Sequence, residues 1–369
     1  MISLSFIEKP HNKILFVGYL IILFGCINLI QIDDQSIISI YSIKQFVWLI
    51  LSIFITFFVR NIRLKSLKNI STLMYLISII LLVLVLFIGK EISGAKSWIK
   101  IAGFTIQPTE LIKISYVFLI AKLYSELGSY SASVLVKYVI GFSLFLIPFV
   151  LILLQPDFGS AFMLLLISMS VIIGFSFNKK FIISLIILAA VFALPIWNNY
   201  LEPYQKQRII NFINPENDPR GIGYNAIQSK ISIGSGQFLG KGLGESSQAK
   251  FGFLPENHTD FAFSVWAEQM GFVGSLVLIA LYFFLIIYPL SFLNDINDPF
   301  LKVVIFGISS YFFFHFIVNI FMTLGLFPVI GIPMILFSYG GSSLICSSFG
   351  FSILALIIRN YRDVNRLGV

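Results

Sequence analysis

The sequence predicts an all-α integral membrane protein of about ten transmembrane helices with one large extracytoplasmic loop, and three observations carry that reading. Of the 369 residues, 58% are hydrophobic and only 11% charged, with a mean hydropathy of +0.94; soluble domains are roughly one-quarter charged. The apolar residues gather in runs near the ~20 that a helix needs to cross the hydrocarbon, a solvent in which only helices or closed barrels satisfy their own backbone. The residue-by-residue alternation over ~10-residue stretches that a barrel requires is absent.

The apolar segments fall at 14–31, 43–59, 70–89, 108–124, 138–154, 159–177, 181–198, 261–290, 300–322 and 334–358. The first follows Lys9 and Lys13 as a signal peptide would, but it is long, lacks a small-residue cleavage site and precedes further spans, so it reads as a retained anchor. An even number of crossings puts both termini on one side. With that side taken as the cytoplasm, the inside segments hold Lys9, Lys13, Arg60, Arg63, Lys65, Lys68, Lys122, Lys137, Lys179, Lys180, Lys302, Arg359, Arg362 and Arg366, and the short outside loops only Lys44, Lys90, Lys96 and Lys100. Short cytoplasmic loops carry this excess of Lys and Arg. The formal charge of +8 is therefore a matter of topology; the cations form no single stripe of the kind that binds nucleic acid. Cys26 and Cys346, in the first and last apolar segments, provide neither a disulfide framework nor a thiolate metal site.

Two outside segments are unlike simple connections. Residues 90–107, with Gly94, Trp98 and Gly103 among apolar neighbours, read as an interfacial or re-entrant piece. The chain then re-enters at Gln107-Pro108-Thr109-Glu110, where proline suits the first helical position and glutamate the positive helix end. The second segment, about 199–260, is long enough to imply function. It carries Arg208, Arg220, Lys230, Lys241 and Lys250 with glycines at 234, 236, 240, 242 and 244. No second domain is evident, and residues 1–369 read as one polytopic domain.

Ionisable groups at membrane depth are functional hypotheses by default. Glu110 and Asp157 lie at the outer ends of the fourth and sixth spans; Asp260 opens the eighth, and Glu268 follows about two turns further in. Glu110 and Lys113, three apart on one helix face, form either a structural ion pair or a substrate contact. Asp157 is either a helix cap or a site residue. Asp260 also stands where a cap would, yet it joins a polar loop to a strongly apolar helix. A carboxylate poorly hydrated at such a junction is a better base than one in water. His258, with no metal-ligand spacing around it, suits a hydrogen-bonding role beside Asp260. The loop cations are either solvated or, next to glycines that permit close backbone approach, partners for a phosphate. The run Gly234 to Gly242 superficially resembles a Walker loop, but Ser235 stands at the first required glycine and no Ser or Thr follows Lys241.

Four blocks together resemble the shape, elongation, division and sporulation (SEDS) family. They are Gly94-Ala95-Lys96-Ser97-Trp98-Ile99 with Gln107 to Lys113; Gln155-Pro156-Asp157-Phe158-Gly159; Gly223-Tyr224-Asn225 through Phe253-Leu254-Pro255-Glu256-Asn257-His258-Thr259-Asp260-Phe261; and Asn319, Gly325, Pro328, Gly331 and Pro333 with Ser338 to Ser343. Ser97 departs from the Arg that many members carry, and Gln269 from a second Glu. The resemblance implies a peptidoglycan glycosyltransferase of the bacterial cytoplasmic membrane that polymerises lipid II, closer to the elongation than to the division branch. It makes Asp260 the essential aspartate, a general base acting on the acceptor hydroxyl in a single inverting displacement. It leaves Arg208, Arg220, Lys230 and Lys241 as candidates for the pyrophosphate, with a divalent cation as a candidate to share that task. Ser342 is either a site residue or part of a close helix contact. The implied protein partner is a class B penicillin-binding protein. The alternative reading is a flippase or proton-coupled transporter of polyprenyl-linked sugars.

Overall fold

The computed structural model describes residues 9–30, 39–92, 94–101, 104–129, 134–175 and 222–366, with the isolated positions 198, 206, 210 and 212. The span expected at 181–198 lies outside the described residues apart from its last position. The other expected spans are helices: α1 (Pro10–Asn28), α2 (Ile40–Arg60), α3 (Leu64–Ile88), α4 (Pro108–Ser129), α5 (Val134–Leu153), α6 (Phe158–Phe175), α9 (Ala262–Leu290), α10 (Pro299–Thr323) and α11 (Gly341–Arg366). Two further helices, α7 (Ile222–Ser235) and the single turn α8 (Ser247–Lys250), belong to the segment expected to be the large outside loop. Six helices, α1, α2, α3, α9, α10 and residues 341–361 of α11, are long and apolar enough to cross a membrane. The charged residues Glu110, Lys113, Lys122 and Glu126 keep α4 out of that group.

The helix starts follow their sequences. Pro10 and Pro299 occupy the first helical turn, where a missing N–H costs nothing. Ser39 accepts a hydrogen bond from Ser42 N, and Asp298 Oδ1 one from Phe300 N at 2.9 Å. Burial orders the bundle. The apolar stretches of α10 and α11 are 78% and 83% buried, so these helices form the centre, while α2 and α3 at 28% each form the rim. Phe54, Phe57, Phe58, Leu73, Ile80 and Phe87 are accordingly exposed, as a lipid-facing surface requires. The inner stripe of α3 is Leu67, Ser71, Tyr75, Ser78, Leu82 and Val85. Its small hydroxyls return hydrogen bonds to Leu67 O and Met74 O, which lets neighbouring helices approach closely.

The all-α expectation needs one correction. The segment expected to be an interfacial or re-entrant piece contains a three-stranded antiparallel sheet, β1 (Lys90–Ile92), β2 (Ala95–Ile101) and β3 (Phe104–Ile106), in the order β1-β2-β3. Gly94, at φ +84, supplies the left-handed residue of the first turn. Lys96 Nζ donates to Leu86 O (2.8 Å) and Phe87 O (3.3 Å), covering carbonyls that α3 leaves unpaired at its end.

Two breaks in the helical pattern shape the end of the bundle that carries Asp260. The first is in α9, where Gly271 adopts φ 65, ψ −163, a conformation open essentially to glycine alone. The segment 236–242 lies along the break and satisfies it. Lys241 N and Gly242 N donate to Glu268 O (2.9 Å) and Gln269 O (3.0 Å), while Phe272 N and Val273 N donate to Gln237 O (2.9 Å) and Phe238 O (3.2 Å). The approach needs glycine: a Cβ on Gly236 would fall 2.0 Å from Ala267 O, and one on Gly240 2.1 Å from Gln269 O. Gly236 and Gly240 therefore serve a helix and not a phosphate, which corrects the reading of those two positions. The second break is residues 324–340, between α10 and α11. The last expected span begins at Gly341 and not at 334, because the chain is turned by Gly331 (φ +72), Pro333 and Leu336 (φ +73). Its apolar residues Met334, Ile335, Leu336 and Phe337 are all at most 1% exposed. Irregular backbone is tolerated at membrane depth only when held inside protein like this.

Candidate active site

Asp260 closes a tight turn built on Glu256, whose φ is +51 and whose carbonyl accepts from Thr259 N and Phe261 N, each at 3.2 Å. The turn is pinned on both sides. Asn319 Nδ2, on α10, donates to Asp260 O (2.8 Å) and also to Ile332 O (2.7 Å), tying the turn to the 324–340 segment. On the other side Tyr339 N donates to His258 O (2.9 Å), and the His258 ring stacks on Tyr41 at 4.2 Å. His258 is thus a wall and anchor of the turn. The cap position of α9 belongs to Phe261, which offers no side-chain cap. The Asp260 carboxylate is half-buried and lies against Gly331: a Cβ added there would come 3.4 Å from Oδ2.

The same segment leads to Asp157. Gly159, in the first turn of α6, packs so tightly on it that a Cβ would fall 2.7 Å from Ile330 O. Asp157 caps α6, accepting from Ser160 N (3.0 Å) and Ser160 Oγ (2.9 Å), and its Oδ2 also accepts from Gln107 Nε2 (3.0 Å). In the other direction, the stem of Lys230 lies against Gly325 and its residue is exposed, so a cation stands on the rim of the same segment. Ser229, beside it, fixes α7 by donating to Thr323 O (2.6 Å).

Glu110 and Lys113 form a buried ion pair at 2.7 Å, with side chains 4% and 1% exposed. Lys113 Nζ also donates to His315 Nε2 (3.0 Å), and Tyr311 OH donates to Glu110 Oε2 (3.2 Å). Tyr311, His315 and Asn319 are spaced by four on α10, so this network sits about one turn, ~6 Å, from the residue that holds Asp260. His315 and Tyr311 are not among the sequence candidates; a histidine within Phe313-Phe314-His315-Phe316 is itself an ionisable group at membrane depth and is the signal that points to them.

Glu268 and Lys241 are brought to each other and not to this rim. Lys241 Nζ reaches Glu268 Oε1 at 2.6 Å. Glu268 is fully buried and also accepts from Ser247 N and Ser247 Oγ on Oε1, and from Ser232 Oγ and Ser246 Oγ on Oε2. This carboxylate locks α7, α8 and the 236–242 segment to α9. Ser342 is buried in the first turn of α11 beside Gly341, on which the Trp48 ring lies so closely that a Cβ would fall 2.1 Å away. Arg208 and Arg220 lie outside the described residues. Among the described residues no three His, Cys, Asp or Glu side chains group as metal ligands, so these residues offer no protein cage for a divalent cation.

The sequence matches the family model for FtsW, RodA and SpoVE, described as cell cycle protein, over residues 11–363. It is 37% identical over 264 residues to the peptidoglycan glycosyltransferase MrdB of Escherichia coli strain K12, covering 72% of this chain and 71% of that protein. It is 30% identical to the peptidoglycan glycosyltransferase RodA of Treponema pallidum strain Nichols over an alignment of 401 positions, gaps included, covering 89% of this chain and 91% of that protein. Among solved structures, a chain from work on polymerisation and crosslinking by a peptidoglycan synthase complex superposes with a TM-score of 0.81 at 28% identity, covering 95% of this chain and 97% of that one. The rod shape determining protein RodA of Thermus thermophilus gives a TM-score of 0.70 at 27% identity, covering 94% and 96%. With a half-buried aspartate at a loop-to-helix junction and a family match that spans nearly all its residues, the chain belongs to the FtsW/RodA/SpoVE family of cell cycle proteins.

Proposed function

We propose that this protein is a peptidoglycan glycosyltransferase of cell elongation, polymerising lipid II at the outer face of the bacterial cytoplasmic membrane with Asp260 as general base. It crosses that membrane ten times with both termini in the cytoplasm. The observation that carries the reading is the position of Asp260: half-buried, fixed through its backbone by Asn319, and facing the backbone of Gly331. The relatives named above as peptidoglycan glycosyltransferases supply the reaction class.

In that reaction the 4-hydroxyl of the acceptor sugar gives its proton to Asp260 as its oxygen bonds to the anomeric carbon of the donor. The bond from that carbon to the pyrophosphate oxygen breaks on the opposite face, and undecaprenyl pyrophosphate leaves with the electron pair. A single displacement inverts the anomeric centre and needs only one carboxylate at the acceptor. The leaving group is a good one, so the enzyme's tasks are positioning, charge neutralisation and base catalysis. Lys230 is the described cation best placed on the rim to meet the pyrophosphate; Lys241 already faces Glu268, and Arg208 and Arg220 are the remaining candidates. Asp157 and His258 support the walls, and a class B penicillin-binding protein takes the product strand for crosslinking.

The test is polymerisation of lipid II in detergent by the purified protein with its penicillin-binding partner, read as glycan chains on a gel. Asp260→Asn should cut the rate by at least about a hundredfold, the lower end of what a general base contributes, with the unfolding temperature of the wild type. Polymer from the variant at the wild-type rate would remove the assignment. The buried Glu110–Lys113–His315 network is the feature that suits the alternative, a proton-coupled translocator of the same lipid. Lipid flipping in vesicles without any polymer from the wild type would favour it.

A further inference from the structure

We propose that the end of the bundle opposite Asp260 holds a second site, built to take one anionic phospholipid by its phosphodiester headgroup. The two ends are set by α1: Asn28, near its C-terminus, donates to Ala262 O beside Asp260 (3.0 Å), while His11 lies seventeen residues earlier, roughly 25 Å along the helix. Around His11 a cavity of about 200 Å³ opens between α1, α2 and α11.

The lining is stratified. At the rim stand Arg60, Arg359 and His11, from three different helices. The N-terminus of α1 and the C-terminus of α2 both reach this rim, so their partial charges offset and the positive charge there comes from the side chains. One to two turns deeper lies a chain of hydroxyls. Tyr19 OH bonds to Thr56 Oγ1 and donates to Ser52 O at 3.2 Å, and Thr56 Oγ1 bonds to Ser352 Oγ at 2.7 Å. Thr56 Oγ1 also donates to Ser52 O at 3.2 Å, a bond that its rotatable proton would exchange for one to a ligand acceptor. The remaining wall is apolar, and two of its members, Ile53 and Phe57, are 50% and 64% exposed on the lipid-facing side of α2. The cavity therefore opens sideways toward hydrocarbon as well as toward water.

A glycerophospholipid is layered in the same order. Its phosphate would meet the arginines, which bind phosphate oxygens with paired N–H donors. Its ester carbonyls would meet the hydroxyls one layer deeper, and its acyl chains would leave past Ile53 and Phe57. Inorganic phosphate shares the rim chemistry but has nothing to place against the hydroxyls or the apolar flank. Basic pockets between helices on the cytoplasmic side are suited to anionic headgroups; naming this side cytoplasmic rests on the orientation proposed above, whereas the site itself does not.

The experiment uses the full chain purified in a neutral detergent. Native mass spectrometry with added phosphatidylglycerol or phosphatidylcholine counts bound lipid, and thermal unfolding compares phosphatidylglycerol with inorganic phosphate and glycerol 3-phosphate. The expected result is one saturable phosphatidylglycerol adduct, with stabilisation by the lipid and not by either free anion. Arg60→Gln with Arg359→Gln should weaken it about tenfold or more, the loss expected for charge-assisted hydrogen bonds to phosphate. Ala355→Leu fills the cavity with both arginines intact and should also abolish the adduct, so it carries the test alone if the double variant does not fold. The site is overturned if the adduct survives both changes at wild-type affinity. It is overturned as a lipid site if inorganic phosphate stabilises as strongly as the lipid does. Polymerisation of lipid II, followed separately, reports on Asp260 and leaves this result unaffected.

Discussion

Lys113 is 1% exposed in the middle of the bundle, and what holds an ammonium there is local: Glu110 at 2.7 Å, His315 at 3.0 Å and the Tyr311 ring, whose centroid is 5.7 Å away. Removing one partner strands the other charge without water, which costs about 3–5 kcal/mol. Glu110→Gln and Lys113→Met should each lower the unfolding temperature in detergent markedly. The pair Glu110→Gln with Lys113→Met should recover much of the loss, and a double variant as unstable as the sum of the singles would show that the two residues do not act as a pair. The spacing of three made this contact legible in the sequence. Its third member was not, since nothing in a linear reading relates position 113 to a histidine 202 residues later. Asp260 was legible for a different reason: a polar loop meeting an apolar run marks the junction without any knowledge of its partners, whereas Asn319 and Gly331 become its neighbours only through packing.

At the scale of elements, the hydrophobic runs located the helices because a membrane helix must satisfy its backbone within its own segment. That rule does not mark where a helix is broken and repaired by another piece of chain. The break in α9 is such a case: its donors and acceptors are taken up by residues 237–242, more than 25 positions earlier, and the glycines that permit this look in sequence like any flexible loop. The repair gives a contrast among neighbouring glycines. Gly240→Ala, at φ +83 and with its new methyl 2.1 Å from Gln269 O, should dislodge the 236–242 segment, seen as faster exchange of the Lys241 and Gly242 amides and cleavage by protease near Leu243. Gly234→Ala, inside α7 with nothing within 4 Å of the added carbon, should be neutral or stabilising by up to about 1 kcal/mol. Equal loosening by both would mean that the close approach at Gly240 is not what fixes the segment. The meander at 90–106 escaped the sequence reading because its strands are three to seven residues long and alternate too briefly to show a period.

For the whole molecule, the distribution of Lys and Arg is the argument for one quantity that packing does not determine: which end of the bundle faces outward. The buried centre, with α10 and α11 enclosed and α2 and α3 facing lipid, is the same whichever way the protein is inserted. The proposed chemistry is not, because on that reading the elongating strand lies outside and Asp260 lies with it. Leu243 and Lys65 are both exposed and lie at opposite ends, Leu243 in the segment docked on α9 near Glu268 and Lys65 in the first turn of α3, one short connection from Arg60. In a background with Cys26 and Cys346 replaced by serine or alanine, Leu243→Cys should react with a membrane-impermeant maleimide in right-side-out vesicles. On the proposed orientation, in which the cations Arg60, Arg63 and Lys68 keep that end in the cytoplasm, Lys65→Cys should react only after the membrane is opened. The reverse pattern would invert the protein, place Asp260 on the side where lipid II is made and not where it is polymerised, and leave translocation as the reading that the buried network supports.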